Sequence, residues 1–287
     1  MKYIIFLLIL FIGSNKVPSK VKDITDALEY SKDTYFVDDL NYISPVDLSL
    51  IVENLEIPND EVFLSNSLSH LQEDYVRAIG YEFDFNNDGE NDLIFVSNYG
   101  AEESHTVLWA RVKNKYKFVD FFWGKADKLF RSGKDKPYSI LIVSGFCCAS
   151  WIGDYTIYEP NIDNDGFKYE KRKNYKIYMD LISPEFVFEP IRFETINENY
   201  RLRYSPLIDN GIDTLSSEFS KGNILAEFDV GSKGYAISSK KDSDRTWWFV
   251  VMDTSCNTSL SFFYNDKNSY KVGWMSSKYL RKINGGL

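Results

Sequence analysis

Histidine and cysteine are scarce in this 287-residue chain, which has two histidines and three cysteines. His70 and His105 each lie among polar neighbours, and neither has a second His or Cys at ligand spacing. A zinc site would need more donors than these. Three cysteines are too few for a disulfide scaffold, and because the number is odd, at least one thiol is left over. The composition therefore argues against a fold held by zinc or by disulfides.

The three cysteines are Cys147, Cys148 and Cys256. Cys147 and Cys148 are adjacent, and because neighbouring residues of a strand point to opposite faces, at most one of them would face a core. Two alternatives stay open. One of the pair forms a disulfide with Cys256, or the thiols are buried and unreactive.

An excess of positive charge is also missing, since 42 Asp and Glu outnumber 33 Lys and Arg and the formal net charge is -9. Residues 1–200 carry 21 Lys and Arg against 33 Asp and Glu, whereas residues 201–287 carry 12 against 9. Contacts with nucleic acid phosphates require a basic face. The acidic body therefore argues against nucleic acid as the partner.

The N-terminus predicts export. Lys2 is followed by the apolar run Tyr3–Ile12 and then by Gly13 and Ser14, which is the layout of a secretory signal peptide. The run is too short to cross a bilayer, so no transmembrane helix is expected. We expect residues 1–14 to be a signal peptide, with retention as an uncleaved anchor as the alternative, and the protein to be periplasmic or extracellular.

The acidic stretch from residue 84 to residue 92 has the spacing of a calcium-binding loop. Side-chain oxygens stand at its first, third, fifth and ninth positions, a glycine is sixth, and the seventh residue would ligate through its carbonyl. The expected metal ligands are Asp84, Asn86, Asp88, Glu90 and Asp92. Crowded carboxylates repel one another unless a cation lies between them, so calcium is the expected cofactor. The alternative is a polar hairpin without metal.

The flanks of this loop, Tyr81–Phe85 and Leu93–Val96, have patterns typical of strands, and its twelfth position is Phe95 where an EF-hand requires Glu. In this form the loop resembles the D-x-[DN]-x-D-G-x-x-D-L calcium loops of FG-GAP and VCBS-like repeats. The resemblance implies a structural calcium ion between strands. A second stretch, Asn161–Gly166, is followed by Tyr169 where the ninth ligand would stand, and we interpret it as a turn, with a weaker second site as the alternative. One complete loop is too few for a multi-blade propeller.

The remaining pattern predicts a mainly β protein with two domains. Aromatic residues make up 16% of the chain, and this enrichment favours strands. A β-rich domain with a few helices (α+β) is expected over residues 19–198. Its helices are expected within residues 21–79, at about 21–30, 44–55 and 67–77, with Ser44–Asp47 as a helix start. Its strands are expected at 79–85, 92–97, 105–112, 116–122, 139–143, 154–159, 175–179 and 186–193.

The C-terminal part carries four landmarks in order, namely Tyr200–Pro206, Glu227–Ser232, Thr246–Val251 and Val272–Leu280. They resemble the opening L-x-V-R-x-x-P strand, the K-x-G-type hairpin, the W-x-x-V strand and the closing G-W-[VI]-[SH]-x-x-Y-L signature of bacterial SH3-like domains. The resemblance implies a small SH3-like β-barrel over residues 199–287. A long first loop, residues 208–221, and an insertion at 253–271 depart from the family pattern.

Aromatic residues of this barrel are the expected ligand-binding residues. Trp247 and Trp248 are adjacent on a strand, so their side chains point to opposite faces, and one indole is expected to point outward. With neighbouring aromatic rings it would form a groove for an extended peptide. The expected set is Tyr204, Trp247, Trp248, Trp274 and Tyr279. The alternative for the tryptophans is a role in filling the barrel.

Two functions stay open. The first is an exported, non-catalytic binding protein, in which calcium stabilises the β-rich domain and the SH3-like domain binds a cell-wall peptide or an envelope protein. The second is a cell-wall hydrolase or another envelope enzyme, because SH3-like domains often accompany Cys/His peptidases. Those peptidases place the Cys before the His, whereas both histidines here precede Cys147 and Cys148. No catalytic residue is therefore assigned.

Overall fold

The protein is seen in a computed structural model that describes residues 34–43, 55–56, 78–99, 103–131, 133–145, 152–163, 166–178, 180–186, 188–211, 222–261, 263 and 268–283. The expected signal peptide, the helices expected at 21–30 and 67–77, and the residues His70, Cys147 and Cys148 lie outside these ranges. So does the helix expected at 44–55, except for its last residue.

Strands make up most of the described part of the chain. Nineteen strands are found there, together with two short 3₁₀ turns at Val37–Asp39 and Ser277–Tyr279. The strands are β1 (Thr34–Phe36), β2 (Asn41–Ile43), β3 (Leu55–Glu56), β4 (Ala78–Phe83), β5 (Asp92–Tyr99), β6 (Glu103–Val112), β7 (Lys115–Trp123), β8 (Lys125–Phe130), β9 (Ser139–Ser144), β10 (Ile152–Asp163), β11 (Gly166–Tyr178), β12 (Ile191–Thr195), β13 (Tyr200–Arg203), β14 (Ile224–Phe228), β15 (Lys233–Lys241), β16 (Thr246–Met252), β17 (Thr258–Ser261), β18 (Tyr270–Ser276) and β19 (Leu280–Lys282).

A six-stranded sheet has the order β2-β4-β5-β6-β7-β3. Its strand β5 explains the unbroken apolar run after the acidic loop, because both faces of the strand are covered. Leu93 and Phe95 belong to one buried cluster with Trp109, whereas Ile94 and Val96 belong to another. A strand that is buried on both faces has apolar residues at successive positions, because neither of its faces is exposed to water.

The larger sheet has the order β1-β8-β9-β10-β11-β18-β16-β15-β12-β19, with β13, β14 and β17 branching from it. Its longest element is the β10–β11 hairpin, whose register runs from Ile152↔Tyr178 to Asp163↔Gly166. The two sheets share one core, because Ile94 of the smaller sheet and Ile140 of the larger sheet lie in the same buried cluster. The acidic loop, between β4 and β5, contributes the buried Phe85 to this core.

The expected mainly β fold is confirmed, and several strands begin and end within three residues of the expected positions. The strand β8 was not predicted, because Lys125–Phe130 carries three charged residues in six positions and lacks an apolar alternation. The strand expected at 175–179 is only the end of the longer strand β11. Polar residues in its first half hid that length.

The helical expectation for residues 21–79 is wrong where the structure describes this segment. Thr34–Phe36 and Asn41–Ile43 are strands that pair with β8 and β4. Leu55, the last residue of the expected helical stripe, begins β3 and pairs with Tyr116 in parallel register. These pairings with distant strands decide the local conformation, which short-range spacing alone did not reveal.

The expected closed barrel is not found among the described strands. Two strands from before residue 199 join its sheet. β11 pairs with β18 through Tyr175↔Tyr270, and β12 lies between β15 and β19. The edges that a barrel would close upon are therefore taken by upstream strands, and the described pairings leave an open, branched sheet.

Among the residues that the structure describes, no helix is long and apolar enough to cross a membrane.

The glycine of the closing Gly-Trp signature has a packing reason. Strand β13 touches β18 through the pair Arg203↔Trp274, directly beside Gly273. A Cβ atom at residue 273 would lie 2.7 Å from the carbonyl oxygen of Arg203 and 2.9 Å from Cγ of Leu202. Neither the backbone of Arg203 nor the buried side chain of Leu202 can move away from such a contact without disturbing the packing around it. Glycine therefore permits the junction between these two strands.

We expect Gly273→Ala to lower the free energy of unfolding by about 1–3 kcal/mol, the usual cost of overpacking a buried site. Chemical denaturation of the full chain measures the change. Gly133→Ala is the matched control, because a Cβ there meets its nearest atom, Cγ of Lys136, at an ordinary 3.7 Å. Equal effects of the two substitutions would contradict this account of the strand junction.

Candidate functional site

The acidic loop folds back as its glycine spacing predicts. Strand β4 ends at Phe83 and β5 begins at Asp92. Between them, Asn87 and Gly89 have φ values of 61° and 93°, in the left-handed region. Glycine adopts this region without the steric cost that a Cβ imposes, and asparagine tolerates it better than most residues. The backbone is therefore bent at the position where the calcium-loop pattern requires it.

Side chains of the loop accept hydrogen bonds from its own backbone. The Asp84 carboxylate accepts from the N–H groups of Asp88 and Gly89, both at 3.0 Å. Oδ1 of Asp88 accepts from the N–H of Glu90 at 2.9 Å. The contact between Asp88 and Glu90, two residues apart, is typical of an Asx turn. Together the contacts hold the first, fifth, sixth and seventh positions of the loop close to one another.

Asp92 is the buried end of the loop. Its carboxylate accepts N–H groups of Phe85 at 3.1 Å, Asn86 at 3.3 Å and Arg111 at 2.8 Å, and its exposed fraction is 0%. Burial raises the pKa of Asp92 to about 7, and the charges of Asp88 and Asp84 act in the same direction, while the N–H donors oppose them. Asp92 therefore ties β6 to the loop at the cost of a poorly solvated carboxylate.

The amide of Asn86 lies between two carboxylates of the loop. Its Nδ2 donates to Oδ2 of Asp88 at 3.0 Å and to Oδ1 of Asp92 at 3.4 Å. An N–H donor in this place lessens the repulsion that a cation would otherwise remove. Within the described residues, no group of three His, Cys, Asp or Glu side chains is arranged to hold a metal ion. Calcium binding by this loop stays a prediction.

The two adjacent tryptophans of β16 point to opposite faces, as alternation predicts, but the expectation that one indole is exposed is wrong. Trp247 is 2% exposed and packs in a cluster with Phe249, whereas Trp248 is 8% exposed and packs in another cluster with Phe193. β16 lies between β15 and β18, and side chains cover it on both sides. Neither face of this strand is free, so neither indole can serve as an exposed anchor.

The other expected ligand-binding residues are spread over several environments. Trp274 is 2% exposed, and its Nε1 donates to the carbonyl oxygen of Ile182 at 2.6 Å. Tyr204 stacks on Tyr178 with 4.9 Å between ring centroids. Tyr279 is half-buried beside Tyr200, 5.8 Å away in an edge-to-face pair. Of the predicted set, Trp247 and Tyr279 line one cavity of the described structure together.

That cavity has a volume of about 320 Å³ and lies beside β13, the start of β16 and the 3₁₀ turn at Ser277–Tyr279. We call it the cationic pocket. Its lining, among the described residues, is Asn197, Glu198, Asn199, Tyr200, Arg201, Arg203, Ile208, Arg245, Trp247, Ser276, Lys278 and Tyr279. The sequence analysis missed its basic residues. The alternation of arginines in Tyr200–Arg203 is the signal that could have found two of them.

Arg203 is the most unusual of these residues, because it is 5% exposed and bonded to neutral oxygens. Its Nη1 donates to the carbonyl oxygen of Asp209 at 2.7 Å and to Oδ1 of Asn223 at 2.6 Å, and its Nη2 donates to Oδ1 of Asn210 at 2.8 Å. Burial lowers the pKa of Arg203 to about 10, and the charge of Arg201 acts in the same direction. The guanidinium is thus held in place without a carboxylate hydrogen-bonded to it in the described structure.

The other two arginines of the pocket are paired. Nε of Arg201 lies 2.9 Å from Oε1 of Glu227, and Nη2 of Arg245 lies 2.6 Å from Oδ2 of Asp244. The Arg245 guanidinium also lies over the Trp247 ring, 5.7 Å from its centroid. Aromatic rings and fixed cations therefore meet on the wall of one cavity.

Cys256 is a free thiol, so the disulfide alternative is not supported. Its Sγ donates to the carbonyl oxygen of Lys233 at 3.2 Å, and burial raises its pKa. A raised pKa leaves less of the reactive thiolate at neutral pH. His105 lies on β6 against the rings of Phe121 and Trp123, 5.3 and 4.4 Å away. Neither residue lines the cationic pocket.

Comparisons of the chain with models of protein families, with curated proteins and with solved structures find no match.

We expect Asp92→Ala to lower the free energy of unfolding by about 2–4 kcal/mol when calcium is chelated, because three backbone N–H groups lose their buried acceptor. Urea denaturation in the presence of a chelator measures this. Glu90→Ala is the control from the same loop, since its exposed carboxylate meets only Arg111, at 3.6 Å, among the ion pairs seen. A loss for Asp92→Ala no larger than that for Glu90→Ala would contradict a structural role of the buried carboxylate.

Proposed function

We propose that the protein is an exported, non-catalytic binding protein of the cell envelope, which holds a peptide or protein ligand in the cationic pocket and carries a structural calcium ion in its acidic loop. The observation that carries this proposal is the composition of the pocket wall. Tyr200, Trp247 and Tyr279 supply aromatic surface, and four basic side chains stand among them. Sites that combine aromatic and cationic groups hold extended ligands by contact area and by charge.

A binding role is favoured over catalysis by the chemistry of the pocket lining. Among the described lining residues, Glu198 is the one carboxylate, and neither a histidine nor a cysteine is present. Hydrolysis of a peptide needs a nucleophile with a base beside it, or a metal-bound water. The raised pKa of the Cys256 thiol also speaks against its use as a nucleophile.

The resemblance to bacterial SH3-like domains supports an envelope ligand. The closing signature Val272–Leu280 contains the 3₁₀ turn and Tyr279, which belongs to the pocket wall. Ser276 caps this turn by accepting the N–H of Lys278. The signal-peptide pattern of residues 1–14 supports the location.

Calcium suits the acidic loop because every expected ligand is a hard oxygen donor. An ion there would offset the repulsion among Asp84, Asp88 and Asp92 and would favour the charged form of Asp92, whose pKa burial raises to about 7. Outside the cytosol, millimolar calcium saturates sites with dissociation constants of about 10⁻⁴–10⁻³ M. Binding would also require the Asn86 amide nitrogen to turn away from the two carboxylates it now joins.

Calcium at about 2 mM should raise the melting temperature of the full chain relative to the same protein in chelator, because an ion that binds only the folded state stabilises it. Asp88→Ala should abolish this difference. Asp135→Ala, which removes an exposed carboxylate from another turn, should keep it. Equal melting temperatures with calcium and with chelator in the unchanged protein would refute the calcium site.

The ligand site is tested by retention of the full chain on envelope fractions that carry peptide. We expect Tyr279→Ala to weaken retention by roughly 1–3 kcal/mol, the range for an aromatic anchor, with little loss of fold. Trp123→Ala is the control, because Trp123 is 61% exposed and lies on β7, outside the pocket. Unchanged retention of Tyr279→Ala, or equal losses in both variants, would remove the pocket from the proposed function.

A further inference from the structure

Arg203 has hydrogen-bonding capacity left for a ligand. A guanidinium carries five N–H donors. The three hydrogen bonds of Arg203 go to the backbone carbonyl oxygen of Asp209 and to the side-chain amide oxygens of Asn223 and Asn210. The bonds to Asp209 and Asn223 hold the side chain rigidly against the loop that follows β13. A rigid, buried guanidinium with unused donors in a cavity wall is prepared for a planar anion.

Trp247 contributes its ring to the wall of the same cavity, where the Arg245 guanidinium lies 5.7 Å from the ring centroid. Its Nε1 is buried and has no hydrogen-bond acceptor in the described structure. A nitrogen that water cannot reach is equally closed to a ligand oxygen, so the indole N–H takes no part in recognition and Trp247 offers apolar contact alone.

The charges around the pocket disfavour a ligand with many negative charges. Arg201 and Arg245 are paired with Glu227 and Asp244. The remaining cations are Arg203 and Lys278, and near them lie the carboxylates of Glu198, in the lining, and of Asp209, whose charge acts on Arg203. These carboxylates would repel a ligand that brought a charge at every repeat, as a phosphodiester polymer does. A single carboxylate that accepts directed hydrogen bonds from Arg203 fits this wall better.

We infer that the cationic pocket receives the C-terminal carboxylate of a peptide ligand, with Arg203 and Lys278 as its cationic partners. This inference rests on the proposed function and names the group that the pocket recognises. The carboxylate is planar and offers two oxygens, which match the edge of a guanidinium. Tyr200, Ile208 and Tyr279 then contact the last side chain of the peptide, for which a cavity of about 320 Å³ has room.

The test uses the full chain and two random hexapeptide libraries of neutral residues, one with free C-terminal carboxylates and one with C-terminal amides. Peptides retained by the immobilised protein are measured by mass spectrometry at low salt. We expect the free acids to be retained at least about tenfold better than the amides, as a charge-assisted pair provides. The preference should shrink as salt rises, because the charges are screened.

Two variants connect that preference to the pocket. Lys278→Glu, at an exposed position, should remove the preference for free acids without unfolding the protein. Lys115→Glu makes the same change in net charge at an exposed position on β7 and should keep the preference. Arg203→Gln should also abolish it, and its circular dichroism spectrum shows whether that buried position tolerates the change. Equal effects of Lys278→Glu and Lys115→Glu would overturn the inference.

The outcomes separate this inference from the proposed function. Equal retention of acids and amides, including no retention of either, overturns the carboxylate inference, even if envelope fractions still bind in a Tyr279-dependent manner. Competition by a glycerol phosphate oligomer that exceeds competition by the free-acid library also overturns it. A tenfold preference for free acids in a protein that no envelope fraction retains would support the pocket chemistry and reject the envelope role.

Discussion

Burial of β16 on both faces is the constraint on which the C-terminal part depends. Six consecutive residues, Trp247–Met252, are buried, and their side chains alternate between two separate clusters. Such a strand requires partners on both edges and cover on both sides. β15 and β18 supply the edges, and Ile182, in the segment that follows β11, accepts the indole N–H of Trp274. Residues before position 199 thus complete the core of the C-terminal part, although its sequence landmarks begin only at Tyr200.

This burial also shapes the cationic pocket. A tryptophan exposed on a sheet surface could bind by area alone, whereas Trp247 is enclosed and reaches the cavity only as part of its wall. Its indole N–H is buried as well and has no acceptor among the described residues. The remaining aromatic contact area comes from Tyr200 and Tyr279, an edge-to-face pair in the same lining. Burial converts an aromatic site into one that depends more on hydrogen bonds and charge.

The acidic loop and the cationic pocket each contain a buried ionisable group, which is a carboxylate in the loop and a guanidinium in the pocket. Burial raises the pKa of Asp92 and lowers that of Arg203, and each group is held by neutral hydrogen-bond partners. Desolvation without an opposite charge is costly, so such groups gain most from an external ion of opposite charge. The calcium ion proposed for the loop would be that ion for Asp92, and the ligand carboxylate proposed for the pocket would be that ion for Arg203.

Local patterns in the sequence determined the mainly β character, the bend at Gly89 and the alternation of Trp247 and Trp248, because each depends on a few neighbouring residues. The exposure of those tryptophans depended on which strands lie beside β16, and the spacing of residues contains no such information. The unpredicted strand β8 and the strand conformation of Leu55 likewise come from pairing with distant segments. Only the tertiary structure brought Arg203, Arg245 and Lys278 to one cavity, since they come from separate elements whose association is decided by packing.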